Sequence, residues 1–364
     1  MTSTDRIGPN GWGVQDEISH FREWGTGFVH PLPPKGDTAL LGGAADCWLR
    51  LWDPSGGISR HHAELTYCDD GWTVTDLSKN GVFLDGVRLP SFSLTPGAEI
   101  QIGPITLIAE SPRLVALREL LERLIGWADE RREIVDQALC SVRIAATRRE
   151  PLLLCGASNL VPIARQLHHH ALGDRPFIVC KPGTPYASGM DALDAAAGGT
   201  LCVSRRYQPD DLDAVVSALR TASGRALLMV CAHARPRGGD IASQIVTVVR
   251  AIVLPPLAHR ARELPRLIEA YAADAIAAFG GWISPTDRQW VAENAASSLH
   301  EIATATRRIV ALHACGEAVT PAAKLLGMSH GALSTWFARR SLPGKSPMAG
   351  AEDEDDANEP YADW

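Results

Sequence analysis

Three features that would direct a protein to a membrane or a nucleic acid are missing from this sequence. No apolar run approaches the roughly 18 residues of a transmembrane helix. The polar N-terminus, residues 1–10, lacks the apolar segment of a signal peptide, so we expect a cytoplasmic protein that does not bind a membrane. Basic residues are not in excess, because the net charge is −7. Any contact with nucleic acid must therefore come from a local basic patch.

The sequence also lacks the spacings typical of metal sites. Its eight cysteines are dispersed, and none forms a C-x-x-C pair. Most lie in apolar stretches such as Leu154-Cys155, which favours small buried side chains in a reducing compartment. The side chains of the run His168-His169-His170 would point in different directions on a helix. We expect neither a metal nor a cofactor.

The 364 residues are enough for two or three domains, and the patterning changes along the chain. Short alternating runs between turn residues predict an all-β sandwich, and leucines at helical spacing follow it. Buried-strand runs then alternate with helices, which predicts an α/β region, before an all-helical segment. The predicted fold is multidomain: an N-terminal extension at 1–30, a β-sandwich at 31–111, a helical linker at 112–150, an α/β core at 151–262, a helical lid-like subdomain at 263–312, a helix-turn-helix at 313–345 and an acidic disordered tail at 346–364.

Three motifs within the predicted sandwich carry a family resemblance. They are Ser59-Arg60-His61-His62, the segment 76–86 with its Asn80-Gly81 turn, and the segment 94–103, which reads L-T-P-G-A-E-I-Q-I-G. In this order and spacing they closely resemble the forkhead-associated (FHA) family. The resemblance implies a sandwich whose end loops bind a Thr-phosphorylated protein, with His62 bracing the loops. It implies a phosphopeptide site formed by Ser59, Arg60, Lys79 and Asn80.

Two positions depart from the FHA pattern. Gly43 stands where the family has a phosphate-binding arginine, and Lys79 stands where it has a threonine. Loss of a bidentate guanidinium weakens phosphate binding, although Lys79 or Arg50 could supply a point charge. Two alternatives therefore stay open. The sandwich binds phosphothreonine, or it is a retained fold that binds unmodified protein or no ligand.

Residues 130–310 resemble the AAA+ domain of sigma-54-dependent transcription activators. The resemblance rests on a strand ending at Gly156, on Ala196-Ala197-Gly198-Gly199-Thr200-Leu201, and most specifically on the segment 252–267. The nucleotide chemistry is missing, however. The P-loop motif requires Gly, Lys and Ser or Thr where this chain has Val161-Pro162-Ile163, and the acidic Walker B positions read Ser204-Arg205. We predict a degenerate scaffold without enzyme activity that can form a homo-oligomer.

The segment 320–340 predicts two helices joined by a turn at Gly327. Thr320 is the predicted cap of the first helix and Ser329 that of the second. The spacing resembles the Fis-type DNA-binding helix-turn-helix, which implies that the second helix enters the major groove of double-stranded DNA. The predicted DNA-binding residues are Ser329, His330, Ser334, Thr335, Arg339 and Arg340. The alternative is a helical cap without DNA binding.

Three functions follow from these resemblances. The first is a transcriptional regulator with an FHA sensor, an inactive AAA+ scaffold and a DNA-binding helix-turn-helix. The second is a phosphopeptide-dependent adaptor that does not bind DNA. The third is an activator that still hydrolyses ATP, which Pro162 and Ser204 argue against.

Overall fold

The computed structural model describes residues 16–68, 71–157, 159–181, 185–186, 188–204, 208–221, 226–232 and 250–340. Two compact units are present: the first comprises residues up to Leu154 together with Val161–Ile252, and the second comprises Cys155–Leu160 and the chain from Val253. The predicted β-sandwich, α/β region and helical C-terminal region are all confirmed. In the described part of the chain, each helix is too short or too polar to cross a membrane.

The sandwich packs two sheets around one apolar core. One sheet has the order β2-β1-β11-β10-β7-β8 and the other β4-β3-β5-β6-β9. Side chains alternate between the two faces of a strand, so every second residue of β5 and β6 faces the core, including the paired and fully buried Leu65 and Val74. The strands are β1 (His20–Glu23), β2 (Val29–Pro31), β3 (Ala39–Gly42), β4 (Leu49–Arg50), β5 (Ala63–Cys68), β6 (Gly71–Asp76), β7 (Val82–Leu84), β8 (Val87–Arg88), β9 (Ser91–Ser93), β10 (Glu99–Ile102) and β11 (Ile105–Glu110).

Strands β1 and β2 join the sandwich from within the predicted N-terminal extension. Strand β1 pairs antiparallel with β11, which places His20 opposite Glu110, and β2 pairs with β1. Two helices, α1 (Pro112–Ile125) and α2 (Arg132–Arg148), follow β11, with a short 3-10 turn between them at Asp129–Arg131. The sheet therefore begins before residue 31, and helices follow it without a break.

A buried cluster of charged side chains joins β1, β11 and α2. The guanidinium of Arg22 donates to Glu110 Oε1 at 2.7 Å and to Asp136 Oδ1 at 2.5 Å, and all three side chains are at most 4% exposed. Burial alone would raise the pKa of Glu110, but the hydrogen bond from His20 and the charges of Arg22 and Arg118 lower it to about 2. Because each charge has a partner, the cluster ties the sandwich to the helix pair.

The α/β region has the strand order β13-β14-β15-β12-β16. Strands β13, β14 and β15 run parallel, as their apolar composition predicts. The strands are β12 (Leu152–Cys155), β13 (Phe177–Val179), β14 (Thr200–Ser204), β15 (Leu227–Ala232) and β16 (Arg250–Val253), and the helices are α3 (Val161–Leu172), α4 (Gly189–Ala195) and α5 (Leu212–Thr221).

The histidine run of α3 contains a packed side chain. His168 is 3% exposed, accepts from the Thr200 hydroxyl at Nδ1 (2.7 Å) and donates from Nε2 to the Arg175 carbonyl (2.8 Å). Burial, together with the charge of Arg165, lowers the pKa of His168 to about 4. The ring is therefore a neutral bridge inside the α/β region.

The second unit is helical. After a 3-10 segment at Leu257–Glu263, its helices are α6 (Leu264–Phe279), α7 (Pro285–Asn294), α8 (Leu299–Ala314), α9 (Val319–Leu326) and α10 (His330–Arg340). Helix α9 begins at Val319 after Ala318, without a side-chain cap, so the predicted cap at Thr320 is wrong. Ser329 does cap α10, because its Oγ accepts from the Ala332 N–H at 3.2 Å.

Candidate functional site

Three connections lie side by side at one end of the sandwich. They are the β3–β4, β4–β5 and β6–β7 connections, which we call the recognition loops. The first two are joined by backbone hydrogen bonds from Gly43 N to the Ser59 carbonyl (3.1 Å) and from Ala44 N to the Arg60 carbonyl (3.0 Å). Because both loops are anchored in strands of the same sheet, this contact fixes the backbone that carries Ser59 and Arg60.

A fully buried histidine links the second and third recognition loops. His62 accepts from the Ser59 N–H at Nδ1 (3.0 Å) and lies with Nε2 3.2 Å from the Gly81 carbonyl. A carbonyl only accepts, so Nε2 carries the proton and donates. His62 therefore braces the loops from inside and does not reach their outer surface.

Polar side chains of the third loop hold its turn and tie it to the second. Ser78 Oγ donates to Asp76 Oδ1 at 2.7 Å and accepts from the Gly81 N–H at 2.7 Å. Burial would raise the pKa of Asp76, but its hydrogen bonds from Ser78 outweigh this and lower it. Asn80 Nδ2 donates to the Gly57 carbonyl at 2.8 Å. One N–H of the Asn80 amide is thus engaged within the domain.

The structure brings the four predicted phosphopeptide residues together. Ser59 is half-buried on the second loop, where Arg60 is exposed, and Lys79 and Asn80 are exposed on the third. The hydroxyl, guanidinium, ammonium and amide groups of these residues are hydrogen-bond donors, and a phosphate group accepts such bonds.

Arg88 is a further cation at these loops that the sequence analysis did not identify. Its Nη2 donates to the Lys79 carbonyl at 3.5 Å. Gly81 has φ +94, and a Cβ there would come within 2.2 Å of Arg88 Nε. The sequence feature that could have predicted its position is the Asp85-Gly86 turn, which folds β8 back along β7 and pairs Arg88 with Phe83.

Two adjacent glycines of the first loop differ in the space around them. A Cβ on Gly42 would lie 2.3 Å from the Arg60 carbonyl oxygen, so the close approach of the loops requires glycine there. A Cβ on Gly43 would meet its nearest atoms at 3.8 Å, an ordinary contact. The position where the FHA family has arginine can therefore hold a side chain here.

The predicted DNA-binding residues lie on or next to α10. His330, Thr335 and Arg339 are exposed, and Ser334 is partly buried. Arg340 forms an ion pair with Asp287 and stacks over the Trp290 ring at 5.3 Å. Arg340 is thus engaged within its own unit rather than presented on the open face of the helix.

The loop after β12, which the sequence analysis compared with a P-loop, packs its first glycine against apolar side chains. A Cβ on Gly156 would lie 3.1 Å from Leu160 and 3.3 Å from Leu254, and both leucines are at least 90% buried. Ser204 ends β14, whereas Arg205 lies outside the described residues.

The sequence model of the FHA domain family matches residues 40–103 and confirms the predicted FHA domain. Solved structures also match. An FHA domain from work on phosphothreonine-dependent FHA interactions is 25% identical over 25% of this chain and 93% of that chain (TM-score 0.23). Mycobacterium tuberculosis EmbR with a low-affinity phosphopeptide is 24% identical over 26% of this chain and 24% of that chain (TM-score 0.24). The FHA-2 domain of a Mycobacterium tuberculosis ABC transporter is 35% identical over 21% and 68% (TM-score 0.19). Among curated proteins, none matches this chain.

Proposed function

We propose that the FHA domain binds a threonine-phosphorylated protein through its recognition loops, and that the chain is a transcriptional regulator controlled by this binding. The observation that carries the first part is the exposed Arg60 beside Ser59 on a loop fixed from inside by His62. A loop held in place loses little entropy when a ligand arrives, which favours binding.

The charges of the site support a phosphorylated ligand. Arg60 offers planar paired donors, and Lys79 and Arg88 lie on the adjoining loop and strand. Gly43 contributes no side chain, so the site has one guanidinium fewer than the FHA pattern provides. We therefore expect a phosphate-dependent but weak interaction, which suits a reversible signal.

Fluorescence anisotropy with the full chain tests this proposal. A phosphothreonine peptide library should bind more tightly than its unphosphorylated twin, and Ser59→Ala or Arg60→Ala should remove the difference. Arg60→Lys should retain part of the difference in affinity, because lysine keeps the positive charge but lacks the paired donors of the guanidinium. Lys35→Ala is the matched control, since Lys35 lies over Tyr67 near the opposite end of β5. Equal binding of both libraries, or an unaffected Arg60→Ala variant, would refute phosphothreonine recognition.

The α9–α10 pair supports the DNA-binding part of the proposal. Gly327 at φ 71 makes the turn, and Ala322, Ala323, Leu326 and Leu333 pack with Ala311 of α8. This packing leaves His330, Thr335 and Arg339 exposed on one helix. A compact helix pair with a polar exposed second helix is the arrangement that a helix-turn-helix uses in the major groove.

Salt-dependent binding to the DNA upstream of the protein's own gene tests this part. Arg339→Ala should weaken binding to all sequences and reduce the salt slope by about 1, whereas Thr335→Ala should reduce sequence preference. Arg262→Ala, an exposed arginine in the same unit, is the control. Phosphopeptide binding without any DNA binding would leave the adaptor function instead.

We propose that the α/β region, which resembles an AAA+ domain, serves as a scaffold without ATPase activity. Numbered from β12, the strand order of the α/β sheet is 2-3-4-1-5, so the first strand lies inside the sheet next to the fourth. Val161, Pro162 and the apolar surroundings of Gly156 leave no cradle for a nucleotide phosphate in the described part of that loop. We expect no ATP turnover, and measurable hydrolysis by the purified chain would overturn this expectation.

A further inference from the structure

Three metal-ligating side chains meet in the sandwich: the adjacent Asp46 and Cys47, and His61 from a second segment of the sequence. Asp46 and His61 are exposed, whereas Cys47 is buried beneath them. His61 Nε2 lies 3.0 Å from Asp46 Oδ2, and the ligand atoms of Asp46, Cys47 and His61 all lie within 4.8 Å of one another. Among the residues that the structure describes, this is the cluster of mixed nitrogen, sulfur and oxygen ligands that could hold a metal ion.

The backbone that carries these side chains is held in place. Asp46 and Cys47 belong to the β3–β4 connection, where the Cys47 N–H donates to the Ala44 carbonyl at 3.3 Å. The Ala44 N–H and Cys47 Sγ in turn both donate to the carbonyl of Arg60, the residue before His61, at 3.0 and 3.2 Å. The two loops that supply the ligands are thus fastened together next to the cluster, so little backbone ordering is needed for binding.

The chemistry of the three ligands suits a zinc-type ion, and their spacing is close to that of a site. Zinc binds sulfur at about 2.3 Å and nitrogen or oxygen at about 2.0–2.2 Å, so tetrahedral ligands lie about 3.3–3.7 Å apart. The pair of His61 and Asp46 is closer than this, at 3.0 Å, and the 4.8 Å limit on all three ligand atoms is wider, so side-chain rotations must accompany metal binding. Thiolate, imidazole and carboxylate together favour Zn²⁺ or Co²⁺ over Mg²⁺ or Ca²⁺, which prefer oxygen ligands alone.

We propose that Asp46, Cys47 and His61 form a zinc-type metal site with one coordination position open to solvent. The side chains of His61 and Asp46 are 45% and 66% exposed, which gives an ion direct access and leaves room for a water ligand. The proposal is independent of phosphopeptide binding. It has a structural consequence, however, because Cys47 Sγ can no longer donate a hydrogen bond to the Arg60 carbonyl once it binds a metal.

A Co²⁺ titration of the reduced, metal-free full chain tests the site. Cobalt takes the same ligands as zinc, and a cobalt–thiolate bond gives a charge-transfer absorption. We expect this absorption to saturate at one equivalent and to disappear when Zn²⁺ is added. His61→Ala, which changes an exposed side chain, should weaken affinity at least about tenfold, and Cys47→Ser should abolish the absorption.

The matched control is Cys68→Ser, which removes an exposed free cysteine of the same sandwich and should leave the titration unchanged. Circular dichroism confirms that each variant is folded, and serine at position 47 keeps a donor for the Arg60 carbonyl. The proposal is overturned if no charge-transfer absorption forms, if it persists in Cys47→Ser, or if Cys68→Ser removes it.

Discussion

The recognition loops of the sandwich and the loop after β12 differ in the side chains that surround their backbone. In the sandwich, His62, Ser78 and Asn80 form hydrogen bonds that hold the loop backbone. After β12, Leu160 and Leu254 crowd Gly156. The loops of the sandwich therefore have polar groups that hold them and can face a ligand, whereas the described surroundings of Gly156 are apolar.

The sandwich and the α/β region also differ in how they keep polar groups inside. The sandwich joins its helices through Arg22, Glu110 and Asp136, which are buried as charges. The α/β region instead buries His168 as a neutral ring. The first arrangement needs ionised carboxylates, whereas the second needs an unprotonated imidazole, so the two regions should respond differently to mutation and to pH.

Removal of the central charge should have the largest effect on stability. Arg22→Met leaves Glu110 and Asp136 buried without their shared partner, and we expect a loss of about 3–5 kcal/mol in the free energy of unfolding. Urea denaturation measures this change. Lys35→Met, which breaks the exposed ion pair with Glu17, should leave the midpoint unchanged. Equal midpoints for the two variants would show that the buried cluster is not the link between sandwich and helices.

The sandwich and the α/β region should lose stability at different pH values as the solution is acidified. The pKa of His168 is lowered from 6.5 to about 4, so the unfolded chain alone gains a proton as the pH falls through this window. Stability of the α/β region should decline there by up to about 3 kcal/mol. The pKa of Glu110 is lowered from 4.5 to about 2, so its contribution, complete above 4.5, is lost only below that pH.

Hydrogen exchange at decreasing pH, corrected for the intrinsic exchange rate, measures the order of these losses. Amides of β13 and β14 should lose protection before those of β1 and β11. His168→Gln should remove the first step, since glutamine takes up no proton. Simultaneous loss of protection in both regions would contradict the contrast between a charged and a neutral interior.

Loss of the histidine brace should affect both stability and binding. His62→Ala removes two hydrogen bonds and leaves a cavity, so we expect about 2–3 kcal/mol of destabilisation and loss of phosphopeptide binding. Thermal unfolding and anisotropy measure the two effects. Thr66→Ala, on the outer face of β5, the strand that follows His62, is the control. Full phosphopeptide affinity in a folded His62→Ala protein would show that the loops do not depend on this brace.

Restoring the family's arginine should have the smallest effect in energy. Gly43→Arg adds a guanidinium where its Cβ fits, and we expect about tenfold tighter phosphopeptide binding, or about 1.4 kcal/mol. Gly42→Ala is the contrasting variant, because its Cβ would displace the Arg60 carbonyl and should weaken binding. Unchanged affinity in Gly43→Arg would place the phosphate away from the first loop.

The parts of the fold that the sequence predicted depend on local patterns. Turn residues and alternating apolar side chains specify strands such as β5 and β6, and the Asn80-Gly81 turn specifies the third recognition loop. The cap at Thr320 was predicted two residues too late, because proline at the first helical position is a preference and not a requirement. Arg88 was missed because a hairpin, rather than a motif, brings it to the loop.

The sequence by itself therefore determined the β-sandwich, the α/β region and the helical end, since each rests on periodicity over neighbouring residues, and the motif resemblance identified the sandwich as FHA. Only the tertiary structure decided that β1 pairs with β11, that Arg22 is buried between two carboxylates, and that Asp46 and Cys47 meet His61. These contacts join residues far apart in the chain. Burial of a charged group costs free energy unless the right partner is buried with it, and no local pattern identifies that partner.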